Sequence, residues 1–143
     1  MAVRKNDRNR GSDGKLQVLE YIKNLTKYTH DRVKSDIFPK SERWLMAKSI
    51  WDQCVGAHTS IIRANSIRVE SKEDANQRLL LEKEAIGYLD AMISLIDVTY
   101  MIGMISDDRC DYWTGLATDT QNLAKAWLKS NRQEYKKLFT NEE

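Results

Sequence analysis

The side chains able to do chemistry are few and scattered. Histidine occurs at only two positions, His30 and His58. His58 falls in line with apolar residues at helical spacing and reads as a core histidine held by one hydrogen bond. His30, beside Asp31, reads as a solvated surface residue. Cys54 and Cys110 have no CxxC neighbour and no His pair nearby. They read as reduced thiols of an intracellular protein rather than as metal ligands or a disulfide. Di-iron helical proteins need Glu-x-x-His on two helices, and that spacing does not occur. Neither does a Gly-rich loop ahead of Lys-Ser/Thr, which would cradle phosphates. Helical ribonucleases of the HEPN type place a His four to six residues after an Arg, and no such pair is present. Glu82, Glu84, Asp90 and Asp97 string out along one stretch. Two of them could form a general acid–base pair, but a solvated or salt-bridged face between subunits is the simpler reading. The expectation is a protein that is not an enzyme and requires no cofactor or metal.

Cations offer a second chemistry. The net charge is only +2, but it is unevenly spread: +5 over residues 1–34, +1 over 35–70, −5 over 71–108 and +1 over 109–143. Arg4, Lys5, Arg8 and Arg10 precede Lys15, Lys23, Lys27, Arg32 and Lys34. Such groups can gain affinity for a polyanion by releasing counterions from phosphates. They can equally form a solubilising tail and a solvated helix face, or pair with the acidic segment of another copy. Tyr21 and Tyr28 read as core edges, and no aromatic platform for stacking bases is foreseen.

The elements that must carry these residues are helices. The chain has 143 residues, 41% hydrophobic and 31% charged, with six Gly and one Pro. That suffices for one core and supplies too few turns for an all-β fold. Residues 1–14 are polar and lack periodicity, so they read as a disordered basic arm. A first helix is expected from Lys15 to Ile37, with Val18, Ile22, Leu25 and Val33 on one arc. Phe38-Pro39 breaks it, and Pro39 suits the first turn of a second helix reaching Glu70. The stripe expected to face inward there is Trp44, Ala47, Trp51, Val55, His58, Ile62 and Val69.

Ser71 and Ser106 are followed by acids and should cap a third helix, from Lys72 to Ile105, and a fourth, from Asp107 to Ser130. The fourth turns Trp113, Ala117, Leu123 and Trp127 inward. The third shows two stripes. One is Leu79, Ile86, Leu89, Ile93, Ile96 and Tyr100. The other is Leu81, Ala85, Tyr88, Met92, Leu95, Thr99 and Ile102. A lone bundle needs one stripe, so Tyr88, Met92, Leu95 and Ile102 are expected to face another subunit. Residues 131–143 form a polar tail. The fold class expected is all-α, an up-down-up-down four-helix bundle over residues 15–130. With no membrane-length apolar run and no secretory leader, a cytoplasmic location is expected.

Phe38-Pro39-Lys40-Ser41-Glu42-Arg43-Trp44-Leu45 resembles the Phe-Pro-Lys-x-Glu-Arg-aromatic opening of helix two in a family of four-helix bundles. That family comprises the ribosomal-RNA intervening-sequence proteins and the accessory variability determinant (Avd) proteins of diversity-generating retroelements. Met46-Ala47-Lys48-Ser49-Ile50-Trp51 continues the pattern. Ile61-Ile62-Arg63-Ala64-Asn65 lacks the Asn-Ile-Ala-Glu-Gly-like ending of the intervening-sequence branch. Leu89-Asp90-x-x-Ile93 and Ala126-Trp127-Leu128-Lys129-Ser130 look more like the Avd branch. The resemblance implies a homopentameric barrel. It also implies a reverse-transcriptase partner and a basic surface binding template RNA or DNA in mutagenic retrohoming, to which Lys40 and Arg43 would add. The alternative is an intervening-sequence-type protein binding structured ribosomal RNA.

Overall fold

Each break in the chain forms where a side chain or a backbone constraint competes with the helix. The computed structural model describes residues 10–140. Helix α1 (Arg10–Val33) stops short of Ile37. Just past its end, the Ser35 hydroxyl donates to the Arg32 carbonyl at 2.6 Å and draws the backbone out of register. Pro39 then caps a turn at Lys40–Glu42 with φ −59°. A π-helical stretch, Arg43–Ala47, leads on without interruption into α2 (Lys48–Ser66). Helix α2 also ends early, because Ile67 turns extended and Ser66 bonds back to Arg63.

Helix α3 (Lys72–Met101) starts on a reciprocal cap. Ser71 Oγ accepts from the Asp74 amide, while Asp74 accepts from the Glu70 amide. It ends at Met101 rather than Ile105, because Gly103 adopts φ +82°. The Gly103 amide bonds to the Tyr100 carbonyl and the Met104 amide to the Thr99 carbonyl, which closes the helix in a Schellman motif. Ser106 caps α4 (Asp107–Glu134) by accepting from the Arg109 amide. After a turn at Tyr135, a short α5 (Lys136–Thr140) follows, so the fourth helix runs on past Ser130 and the polar C-terminal stretch carries a helix of its own. No strand forms among the described residues.

Successive long helices run antiparallel. His30 meets Trp51 and Thr26 meets His58 across α1 and α2. Tyr88 lies against Gly56, and Arg78 reaches the Ile67 carbonyl, across α2 and α3. Asp97 pairs with Cys110, Asp90 with Gln121 and Glu82 with Asn131 across α3 and α4. Helix α1 packs on α2 and α4, and α3 packs on the same two, so the bundle closes around one core. That core runs from Val18, Ile22 and Leu25 through Ile50 and Ile61 to Leu89, Met92, Ile96 and Trp113. A smaller cluster of Ala75, Leu79, Leu128 and Tyr135 closes the far end, with Leu138 and Phe139 of α5 packed on it.

Two stripes lie differently from what their spacing suggests. Ala47 at the end of the π-helical stretch and Ile50, Cys54, Ala57, Ser60, Ile61 and Ala64 of α2 are buried, while Trp44 is 76% exposed. The stripe of larger side chains, Trp44, Trp51, Val55, His58 and Ile62, lies at the rim. On α3 both stripes contribute to the chain's own interior, since Leu79, Leu89 and Ile96 come from one and Leu81, Ala85, Met92 and Thr99 from the other. The helix has a neighbour on each flank within the chain, which accounts for the doubled pattern. Met92 is fully buried and therefore does not face another subunit. Leu95 is half-buried against the core, and Tyr88 and Ile102 remain exposed.

The close approach of α2 and α3 depends on Gly56, where an added Cβ would meet the Tyr88 ring at 2.5 Å. Alanine in a helix gains about 1 kcal/mol over glycine, but overpacking costs about 1–3 kcal/mol. Gly56→Ala should lower stability in denaturant unfolding by about 1 kcal/mol. In a Tyr88→Ala background the same change should stabilise. Equal effects in both backgrounds would show that the ring does not hold the two helices in place.

Candidate nucleic-acid interface

The long side chains of α1 that face water carry the positive charge. Lys23 and Lys27 are exposed, and so is Lys34 just past the helix end. Lys27 pairs with Asp31 at 3.1 Å and His30 meets the same carboxylate at 3.2 Å. Hydrogen bonds from His30 and then Lys27 hold the Asp31 carboxyl below its ordinary range. Both contacts are solvated, so Lys27 can exchange its partner for a phosphate at little cost. Arg32 is more constrained. Its guanidinium lies 5.2 Å from the centre of the Tyr28 ring, and its buried Nε has no hydrogen-bond partner. Burial pushes the Tyr28 hydroxyl up, opposed by Arg32 and Arg109. Arg4, Lys5 and Arg8 lie outside the described residues. Arg10 and Lys15 fall within α1, but the description does not extend to their side chains.

The joint between α1 and α2 adds more. Lys40 is exposed on the turn before the π-helix, and Arg43 donates from Nε to the Phe38 carbonyl at 3.3 Å. Lys48, absent from the candidates that the sequence suggests, pairs with Asp52 at 2.8 Å. An open groove of about 400 Å³ lies here, lined by Val33, Arg43, Trp44, Ala47, Lys48 and Trp51. Apolar spacing puts Trp44 in the core, and so hides the groove's aromatic floor. The signal in the sequence is a run of cations, Lys40, Arg43 and Lys48, before and between two indoles.

The remaining candidates have structural partners. Thr26 donates its hydroxyl to the Ile22 carbonyl, so the His58 Nδ1 at 2.7 Å must carry the proton between them. Burial and then Lys23 hold His58 below its ordinary pKa, which keeps it neutral. Burial likewise raises both thiols. Of the α3 acids, Glu84, Asp90 and Asp97 face water, and Asp90 accepts from Gln121. Glu82 does not face water. It is 1% exposed, and its Oε2 accepts from Asn131 Nδ2 and from Arg78 Nε, while Oε1 is buried without a partner. Arg78 is itself packed on the Trp127 ring, 5.2 Å from its centre. Burial raises the Glu82 carboxyl from 4.5 to about 7, against the lowering pull of Asn131 and Arg78. Among the described residues no cluster of His, Cys, Asp or Glu could hold a metal, and no helix is long and apolar enough to cross a membrane.

No protein-family model, curated protein or solved structure matches the chain. What the chain can do therefore has to be read from the basic face of α1, the joint and the acidic face of α3.

Glu82 makes stability depend on pH. Its carboxyl is raised from 4.5 to about 7 in the fold, so between those values the folded chain binds more proton than the unfolded one. Stability then falls as pH rises through this window, by about 3 kcal/mol once pH passes 7. Glu82→Gln should remove that fall, gaining about 3 kcal/mol on the parent between pH 5 and pH 8 in urea unfolding. A parent–variant difference that is the same at both pH values would mean that Glu82 titrates as an ordinary carboxylate.

Proposed function

We propose that this chain is a non-catalytic accessory subunit of a diversity-generating retroelement, binding its reverse transcriptase and holding template RNA or DNA in mutagenic retrohoming. The observation that carries this reading is the joint from Phe38 to Leu45, whose sequence resembles the helix-two opening of the Avd proteins. Its residues act together here. Phe38 is fully buried, Pro39 starts the turn, and Arg43 bonds back across the joint to the Phe38 carbonyl. The antiparallel order of the four long helices supports an up-down-up-down four-helix bundle.

The reading extends to a homopentameric barrel in the cytoplasm. Exposed Tyr88 and Ile102, with half-buried Leu95, supply apolar surface for contacts between copies. Repetition around the ring multiplies a modest single-chain charge into avidity. Phosphate contacts carry no sequence information, so nucleic acid should bind with little sequence preference.

A reverse-transcriptase gene beside that of this chain, and co-purification of its product with this chain, test the accessory role, and the absence of either would end that reading. Replacing Lys23, Lys27 and Lys34 with Ala should flatten the dependence of log affinity on log salt. The expected change is about 0.7–0.9 units for each phosphate that the variant no longer neutralises. Fluorescence anisotropy across a salt series measures it. A slope unchanged by all three substitutions would remove nucleic acid from this face.

A further inference from the structure

Two of the four tryptophans stand outside the core. Trp113 and Trp127 are buried, but Trp44 is 76% exposed and Trp51 is half-buried. Tryptophan is among the residues most buried on average, so an indole this open needs a reason. Trp44 and Trp51 line the groove at the α1–α2 joint together with Arg43 and Lys48. Lys34 and Lys40 adjoin it in sequence, beside Val33 and at the turn before Arg43.

The backbone is irregular at the same place. The Lys48 amide bonds to the Arg43 carbonyl, five residues back, and so spans one residue more than an α-helical turn. Trp44 and Leu45 lie within this widened turn and face water, Leu45 being 63% exposed. Such π-helical turns gather at functional sites. The Arg43 and Lys48 heads are each steadied by one contact, to the Phe38 carbonyl and to Asp52.

We infer that this groove takes single-stranded RNA or DNA, with an unpaired base stacked on the Trp44 indole. The flanking cations hold the adjoining phosphates. The inference rests on the nucleic-acid part of the proposed function and narrows it from charge alone to exposed bases. Binding by charge alone requires no indole, since cations track a duplex backbone without one. An aromatic face set among cations is the arrangement that holds single strands. An acidic amphipathic peptide would match the same charges. However, a docked helix lays its anchors into a row of apolar pockets, whereas here the Trp44 indole stands open to water as a flat face among cations, which suits a stacked base.

The test uses the full chain with labelled oligo(U), oligo(dT) and a matching duplex, read by anisotropy and by tryptophan quenching. Tighter binding of a single strand than of the duplex is expected, and the two oligomers tell RNA from DNA as the preferred strand. Trp44→Leu should weaken single-strand binding roughly 5- to 150-fold, the equivalent of one stacked base. Its salt slope and its duplex affinity should stay unchanged, and its quenching should fall to what Trp51 contributes. Trp44→Tyr should restore most of the affinity, which separates an aromatic face from bulk. Arg43→Gln should instead reduce the salt slope, by about 0.7 for one phosphate on a single strand. If Trp44→Leu bound single strands as tightly as the parent with its salt slope intact, the stacking site would be overturned and the electrostatic reading kept. Trp44→Tyr binding no better than Trp44→Leu would overturn it too. Failure of every nucleic acid to bind would overturn both. Polyglutamate quenching Trp44 where oligonucleotides do not would reassign the groove to an acidic protein partner.

Discussion

The Trp113 indole is the point where three parts of the chain are fixed to one another. Phe38 packs edge-on to it at 6.5 Å, Tyr28 does the same at 6.0 Å, and its Nε1 donates to Thr29 Oγ1 at 3.1 Å. One side chain of α4 thereby holds the last turns of α1 and the joint that follows. Burying rings of this size supplies much of a small core's stabilisation. The satisfied N–H avoids the cost of a lone buried donor. With Phe38 anchored, Pro39 can start the next turn from only one position. The path of α2 across α1 follows from that.

Once α2 is placed, its phase is set by distance of approach. Helix α3 comes close enough for Tyr88 to lie on Gly56, and the buried face of α2 is correspondingly small: Ala47, Cys54, Ala57, Ser60 and Ala64 between Ile50 and Ile61. The larger Trp44, Trp51, Val55 and Ile62 form a stripe of equal regularity that would hold the helices apart. A pattern of hydrophobic residues weights that stripe more heavily, which is why it reads as the core in sequence. On α3 the fault is different. Two neighbours in the same chain bury two flanks, and one chain's interior imitates a core plus an interface. Periodicity shows that a face is covered and is silent about which chain covers it.

Signals written in local backbone chemistry were more legible. Pro39, Ser71 and Ser106 each mark a helix start where the structure has one. Gly103 carries the same kind of information for a helix end, through a positive φ that only glycine adopts freely. It is legible once read as a cap, but the apolar residues on either side of it suggest a helix running through. Helix α5 is harder to read, because Tyr135, Leu138 and Phe139 are isolated among polar residues and gain meaning only from the Ala75–Leu128 cluster they close. The cations of α1 were legible as a basic strip. The groove beside them was not, since its floor depends on the phase of α2 and on a π-turn that no residue type announces.

The two ends of the bundle treat their awkward groups in opposite ways. At the far end Glu82 is sealed between Arg78 and Asn131, and Tyr135 of the adjoining cluster helps close that end. Below about pH 7 the fold avoids the cost of a buried carboxylate by keeping the proton, and above it the charge costs stability. At the joint the apolar group is left in water instead. Burying an indole is worth on the order of 2–3 kcal/mol, and an α-helical turn would satisfy its backbone in the ordinary geometry. A chain shaped for stability alone would turn Trp44 inward or replace it with a polar residue. An exposed indole, a widened turn and clustered cations thus break local rules together at one place in a fold that is otherwise consistent.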